Sequence, residues 1–553
     1  MTGPDGQRRA PMGAGRPGTE TVPSVDAAAG PAGPAVPRPR RPVEPVAGSG
    51  PTDGTGRHEV RSGTRSGMVG LAGAAVNGLL GFVLTVVIVR GFGPAGSGAI
   101  FTAIGVVTIV GVLCCVGADT ALVWALPRRR TGARGDAARL LPVALVPTLL
   151  GATLVGAVGV ALAGTLAPVL FDQPGGDGPA LLRLAFATLP ATVAMTVLLA
   201  AVRAVRPVTG VVAVQYVFVP LARPLLVLAV MATGAGVVLA FGGWLLPVAL
   251  AALICAAMLV RPLGLAAGAR LRPERRDWRT FWGFALPRAV SATIDASSLW
   301  LSVLLTSALA GQAAAGVLGA VGRYVLAGLL VMQGLRVATA PQLSRLLGGG
   351  RTRDAVLVYR RVTMMIIVLS WPGYLLLGVF APGFLSLFGA EFGAGATAMA
   401  VLAGAMLVNS GVGIVQTLLL MSGNSGRHLM AALTGLVLNV GLAVVLVPRH
   451  GVLGAAVAWT VGIVAENLLA ARAARLAVGE PLLTRPLLVA GALAGGSTAV
   501  LAVIAATVAG RGVAGLALAV ALLLVGGALL LLDGRVRRVV RAALAALRPK
   551  PAG

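Results

Sequence analysis

Charge is what this sequence has least of. Of 553 residues, 18 are Asp or Glu and 45 are Lys or Arg, so charged residues make up only 11%. A soluble globular chain carries about 25%, which excludes a water-facing enzyme built around one buried core. Lysine occurs once, at Lys550, so the net charge of +27 is almost wholly arginine. Cysteine is limited to Cys114, Cys115 and Cys255, each inside an apolar run. An odd count with two neighbours implies no disulfide framework. The three histidines, His58, His428 and His450, lack the spacing a zinc site requires. No GxxxxGK[ST] run is present to cradle ATP phosphates. No cofactor is therefore expected, and any driving force comes from an H+ or Na+ gradient, the membrane potential or the substrate's own gradient.

What the chain has in abundance is apolar sequence: 57% of residues are hydrophobic and the mean hydropathy is +0.91. The region 68–532 divides into fourteen apolar segments, from 68–89 to 513–532, each long enough for the roughly 20 residues of a membrane-crossing helix. The basic residues test this count. Loops after even-numbered segments hold clusters such as Arg128, Arg129 and Arg130, or Arg351, Arg353, Arg360 and Arg361. Those after odd-numbered segments offer only Arg90, Arg449 and Arg511. Such alternation places both termini in the cytoplasm of a multi-pass plasma-membrane protein. It also explains the basic charge without a nucleic-acid partner.

The expected fold class is thus an all-α polytopic membrane protein with about fourteen transmembrane helices. Residues 1–66, rich in Pro, Gly and Arg, read as a disordered cytoplasmic tail, and 533–553 as a basic one. An internal repeat relates 68–260 to 280–475. Gly93–Gly98 matches Gly311–Gly316, Ala167-Pro168 matches Ala381-Pro382, and Leu198-Leu199 matches Leu418-Leu419, at offsets near 218. Two pseudo-symmetric six-helix lobes follow, related by an axis along the membrane normal. Segments 484–532 then form an additional helix pair.

Ionisable groups inside apolar spans are costly, so each should face a cavity or a partner. Arg183 and Arg336 lie near span ends and can snorkel. Arg223, between Pro220 and Pro224, Arg288, which follows Pro287, and Arg323 lie deeper. The backbone bonds missing at the two prolines allow a break around Arg223 that lines a cavity. Together these arginines make a candidate cationic cavity suited to a diphosphate, because a guanidinium fork grips two oxygens. Internal pairing of Arg288 or Arg323 with Asp295 is the competing reading. Asp119 and Glu466 are candidates for ion coupling or for internal pairing, with pairing favoured for Asp119. Asn409, Gln416 and Asn439 read as interhelical glue. Gly91, Gly93 and Gly96 satisfy GxGxxG, but the motif follows a transmembrane segment and not a strand, so it reads as a tight turn. A GxxxG at Gly491 and Gly495 carries little weight in a chain with 77 glycines.

The run Val89 to Gly98 (VRGFGPAGSG), followed by Gly117 to Val123 (GADTALV), resembles the opening of polysaccharide and lipid-linked oligosaccharide flippases. The stretch Leu438-Asn439 to Ala456, containing Val447-Pro448 and Gly454-Ala455-Ala456, is similar to that family's "LN…IP..G..GAA" signature. The resemblance covers residues 68–475 and continues into the last helix pair. It implies a pair of lobes that rock between inward- and outward-open states, carrying an undecaprenyl-diphosphate-linked glycan to the outer leaflet, with membrane lipids and polysaccharide assembly proteins as partners. The same superfamily holds multidrug extruders and the lipid II flippase, which remain alternatives. An arginine-lined cavity argues against cationic drugs. A membrane glycan polymerase is a further alternative, opposed by the lack of an extracytoplasmic catalytic segment.

Overall fold

The computed structural model describes residues 53–130, 137–171, 176–265 and 271–532. Among them every regular element is helical. In chain order these are α1 (Asp53–Cys115), α2 (Ala118–Arg130), α3 (Leu140–Leu170), α4 (Gly178–Ala187), α5 (Leu189–Val205), α6 (Val208–Val211), α7 (Val219–Ala232), α8 (Val237–Val260) and α9 (Arg275–Ala327). There follow α10 (Leu330–Gly348), α11 (Thr352–Val379), α12 (Ala381–Leu385), α13 (Ala396–Val412), α14 (Val415–Met421), α15 (Ser425–Val478), α16 (Arg485–Ala509) and α17 (Val513–Leu532). Nine helices among the described residues are long and apolar enough to cross a membrane, or ten if α4 and α5, bent by 41°, form one span. The chain is therefore a multi-pass membrane protein, although this count falls short of the expected fourteen.

Three helices are interrupted by glycines that leave helical geometry: α1 at Gly93 (φ 63°), α9 at Gly311 (φ 83°) and α15 at Gly451 (φ 52°). Positive φ is accessible to glycine without a Cβ penalty. The literal GxGxxG is accordingly a turn, with Pro94 restarting the helix after Gly93.

Gly98 and Gly316 meet across the molecule. A Cβ on Gly98 would lie 1.8 Å from the Gln312 carbonyl oxygen, and one on Gly316 would lie 2.1 Å from that of Pro94. Because Pro94 and Gly98 sit 218 positions before Gln312 and Gly316, exchanging the two segments reproduces the contact. Arg90 adds a tie at the same end, donating from Nε to the Leu387 carbonyl at 2.7 Å. Phe82 packs edge-on against Tyr324 with centroids 5.0 Å apart, while the Tyr324 hydroxyl donates to the Phe384 carbonyl at 2.6 Å.

The buried apolar clusters follow this pattern. At the end where Gly93, Gly311 and Gly451 turn, one core joins both sequence halves, from Ile88, Phe101, Phe186 and Phe241 to Leu318, Tyr374, Phe388 and Trp459. At the opposite end there are two separate cores. One gathers Leu122, Leu140, Val197 and Cys255, and also takes in Phe281 and Ala285 from the start of α9. The other gathers Leu343, Tyr359, Leu418 and Ala474. The last two helices attach through Leu376, Phe380, Ala502, Ala505 and Ala519.

Two expectations need correction. The N-terminal tail was expected to reach residue 66 without structure, yet α1 begins at Asp53. Extending a nucleated helix costs far less than starting one, and no proline follows Pro51 until Pro94. Residues 1–52 and 533–553 lie outside the described residues. The break that Pro220 and Pro224 would allow is absent, since α7 runs through both. The irregularity lies one step earlier, as a π-helical turn at Val212–Phe218. Pro220 and Pro224 have no N–H to donate back, and the wider turn ahead of them accommodates the broken hydrogen-bond ladder.

Candidate functional site

Arg223 lies in α7, about ten residues from the turn that leads into α8, and Arg323 lies about as far beyond the Gly311 turn, so each sits roughly 15 Å below the expected outer ends. Proline at two positions in the first turns of α7 and the π-helical turn ahead of it fix the rotation at which Arg223 emerges. Its guanidinium carbon sits 3.8 Å from the ring centroid of Trp244, on α8, and its Nε–H donates to the Trp244 carbonyl at 3.2 Å. The guanidinium of Arg323 stands 5.6 Å over the ring of Trp300, on α9. The two cations belong to different sequence halves.

Neither arginine has a carboxylate partner among the described residues. Both are half-buried. Among the described residues, the terminal nitrogens of Arg223 and the guanidinium nitrogens of Arg323 donate to no protein group. Among the described side chains, which do not include that of Asp295, the site thus presents two positive charges with no acidic partner. Charge of this kind attracts an anion, and its forked donors favour a phosphate-like one.

The remaining candidates fall elsewhere. The side chains of Arg288 and Asp295 lie outside the described ones, and with them the two internal pairings expected as alternatives, Arg288 with Asp295 and Arg323 with Asp295. Glu466, on α15, accepts a hydrogen bond from Gln416 Nε2 on α14 at 2.8 Å, which fits internal pairing. Asp119 was expected to pair with an arginine. Among the described residues it has no hydrogen bond or ion pair. It occupies the first turn of α2, just after the break at Val116 (φ 47°) and Gly117 (φ 73°), where the unpaired N–H groups of a helix start favour negative charge without a basic side chain. Asn439 behaves as interhelical glue, its Nδ2 donating to Ser302 Oγ on α9 at 3.1 Å.

Trp244 and Trp300 were not singled out by sequence reasoning. A signal was available, because tryptophan gathers at membrane interfaces and both of these fall well inside apolar spans. The GxxxG of α16 was undervalued too: Cβ atoms on Gly491 and Gly495 would lie 3.1 and 2.9 Å from the indole of Trp371 on α11.

No protein-family model matches the sequence. No curated protein matches it either. Solved structures do. An inward-facing multidrug resistance MATE family transporter of the MOP superfamily aligns at a TM-score of 0.62 and 17% identity, over 75% of this chain and 98% of the other. The lipid II flippase MurJ in an inward closed conformation aligns at 0.66 and 10% identity, over 84% and 99%. An outward-facing MATE family transporter aligns at 0.55 and 18%, over 76% and 95%. At such identities the likeness speaks for architecture alone: this chain is an all-helical, multi-pass membrane protein that shares its fold with these MATE and MurJ structures over three quarters or more of its length.

Proposed function

We propose that the protein is a flippase that moves a lipid-diphosphate-linked oligosaccharide from the cytoplasmic to the outer leaflet of the plasma membrane, for cell-surface polysaccharide synthesis. The observation that carries the reading is the pair Arg223 and Arg323, contributed by different halves and without a carboxylate partner among the described residues. A diphosphate offers the charge and the oxygens to engage both. A cationic drug would meet repulsion there, which sets the multidrug extruder second. Splitting α1, α9 and α15 at their glycine breaks, with α4–α5 as one span and α17 as another, supports fourteen crossings with both termini in the cytoplasm. The halves 68–260 and 280–475 then act as two six-helix lobes. A core fused at the outer end and divided at the inner end fits the inward-open stage of alternating access.

A deletion strain tests this with a membrane-impermeant lectin or glycosidase that resolves lipid-linked glycan by leaflet. The reading expects full-length lipid-linked units trapped inside, released by the wild-type gene and not by Arg223→Gln or Arg323→Gln. Normal externalisation with altered drug tolerance would make the protein an extruder. Trapped lipid II would make it a lipid II flippase, and externalised but unpolymerised units would indicate a polymerase.

A further inference from the structure

We propose that Trp244 is a positioning residue for the anion site, holding Arg223 by its ring and its carbonyl so that both terminal guanidinium nitrogens remain free for a ligand's phosphate-type oxygens. The inference rests on the anion-binding reading above and adds how the site keeps its charge.

A cation buried within a membrane protein needs stabilisation. A carboxylate would provide it and, in doing so, cancel the charge and occupy the terminal N–H groups. Trp244 provides it differently. Its π face lies 3.8 Å from the guanidinium carbon, and its carbonyl accepts the Nε–H at 3.2 Å. The ring's quadrupole favours the cation without neutralising it. The single donor consumed is Nε, which leaves the forked end of the group unspent. Trp244 is itself fixed: it is buried, and its ring stacks on Phe241 with centroids 5.9 Å apart at 13°. Arg323 stands over Trp300, so the other half supports its cation with an aromatic ring as well. The outcome is a guanidinium locked in one orientation before any ligand arrives, which lowers the ordering cost of binding.

The test uses the full chain in lipid nanodiscs and inorganic diphosphate as the probe, with affinity from calorimetry and stability from thermal melting. Trp244→Leu keeps apolar bulk and the backbone carbonyl but loses the π face. Trp244→Phe keeps a weaker π face. The proposal expects Trp244→Leu to weaken diphosphate binding roughly tenfold, Trp244→Phe to recover part of that loss, and both to melt within a few degrees of wild type. Equal weakening by Phe and Leu, or wild-type affinity in Trp244→Leu, would overturn the positioning role. Arg223→Gln separates the two layers. If it abolishes binding while Trp244→Leu does not, the anion site stands and the role of Trp244 falls. If wild type itself does not bind diphosphate, both fall.

Discussion

Single arginines account for the exceptions in the loop-charge pattern. Arg90, Arg449 and Arg511, the basic residues on the expected outer side, each donate to a backbone carbonyl near a helix end: those of Leu387, Val445 and Val379, at 2.7, 3.2 and 2.8 Å. Carbonyls next to a helix end lack intrahelical donors, which Arg90 and Arg511 supply, while Arg449 folds back one turn along its own helix, so these side chains are spent on the fold and do not contradict the topology. Small residues are as consequential. Valine at Gly491 or Gly495 would press on the Trp371 indole, and overpacking of this kind costs about 1–3 kcal/mol. We expect Gly495→Val to lower the melting temperature of the purified protein, whereas Gly496→Val, next to it with nothing within 4 Å, should change stability by no more than about 0.5 kcal/mol. Equal melting curves for the two would mean that α16 does not dock on α11 through this indole. The deep arginines were legible in the sequence because charge inside an apolar run stands out. Their tryptophans were not, because Arg223 and Trp244 lie 21 positions apart on separate helices, and no spacing rule connects them.

Helices were easier to read than their irregularities. Hydropathy and the alternation of basic loops located the apolar segments, since both are properties of composition along the chain. The π-helical turn at Val212–Phe218 had no such marker: it answers a missing donor at Pro220 and Pro224, and the sequence does not say on which side of a proline the ladder will adjust. Ties between helices were legible only as residue types. Asn439 was expected to bond to another helix, but its partner Ser302, 137 positions away, emerges from packing. Asn439→Leu should cost about 1 kcal/mol, because Ser302 then loses a partner in a buried site. Combining it with Ser302→Ala should cost less than the sum of the single changes, as measured by thermal or denaturant unfolding in detergent. Strict additivity would show that the bond does not couple α15 to α9.

For the whole molecule, the decisive feature is the unequal closure of the two ends. One shared core, the crossing of Gly98 with Gly316 and the Arg90 tie join the halves at one end. At the other end the cores remain apart, with α9 contributing to the first through Phe281 and Ala285. The repeat offset of 218 located the crossing segments in advance, whereas their approach to within backbone contact was not foreseeable from glycine content in so glycine-rich a chain. A side chain placed at the crossing therefore acts on conformation more than on either half alone. The Gly316 Cβ would fall 2.1 Å from the Pro94 carbonyl oxygen, which leaves no room for a valine unless the segments part. A strain of about 1–2 kcal/mol shifts a two-state population roughly 5- to 30-fold. Spin labels on Thr233→Cys and His450→Cys report on this end, since both positions are exposed and the three native cysteines are buried. In nanodiscs, the parent should give a short distance between the labels, and Gly316→Val a second, longer one, with Gly98→Val doing the same by the reciprocal contact. Gly441→Val, where a Cβ meets nothing within 4 Å, should leave the distribution unchanged. If Gly316→Val folds and keeps the parent's single short distance, the crossing is not what holds this end shut.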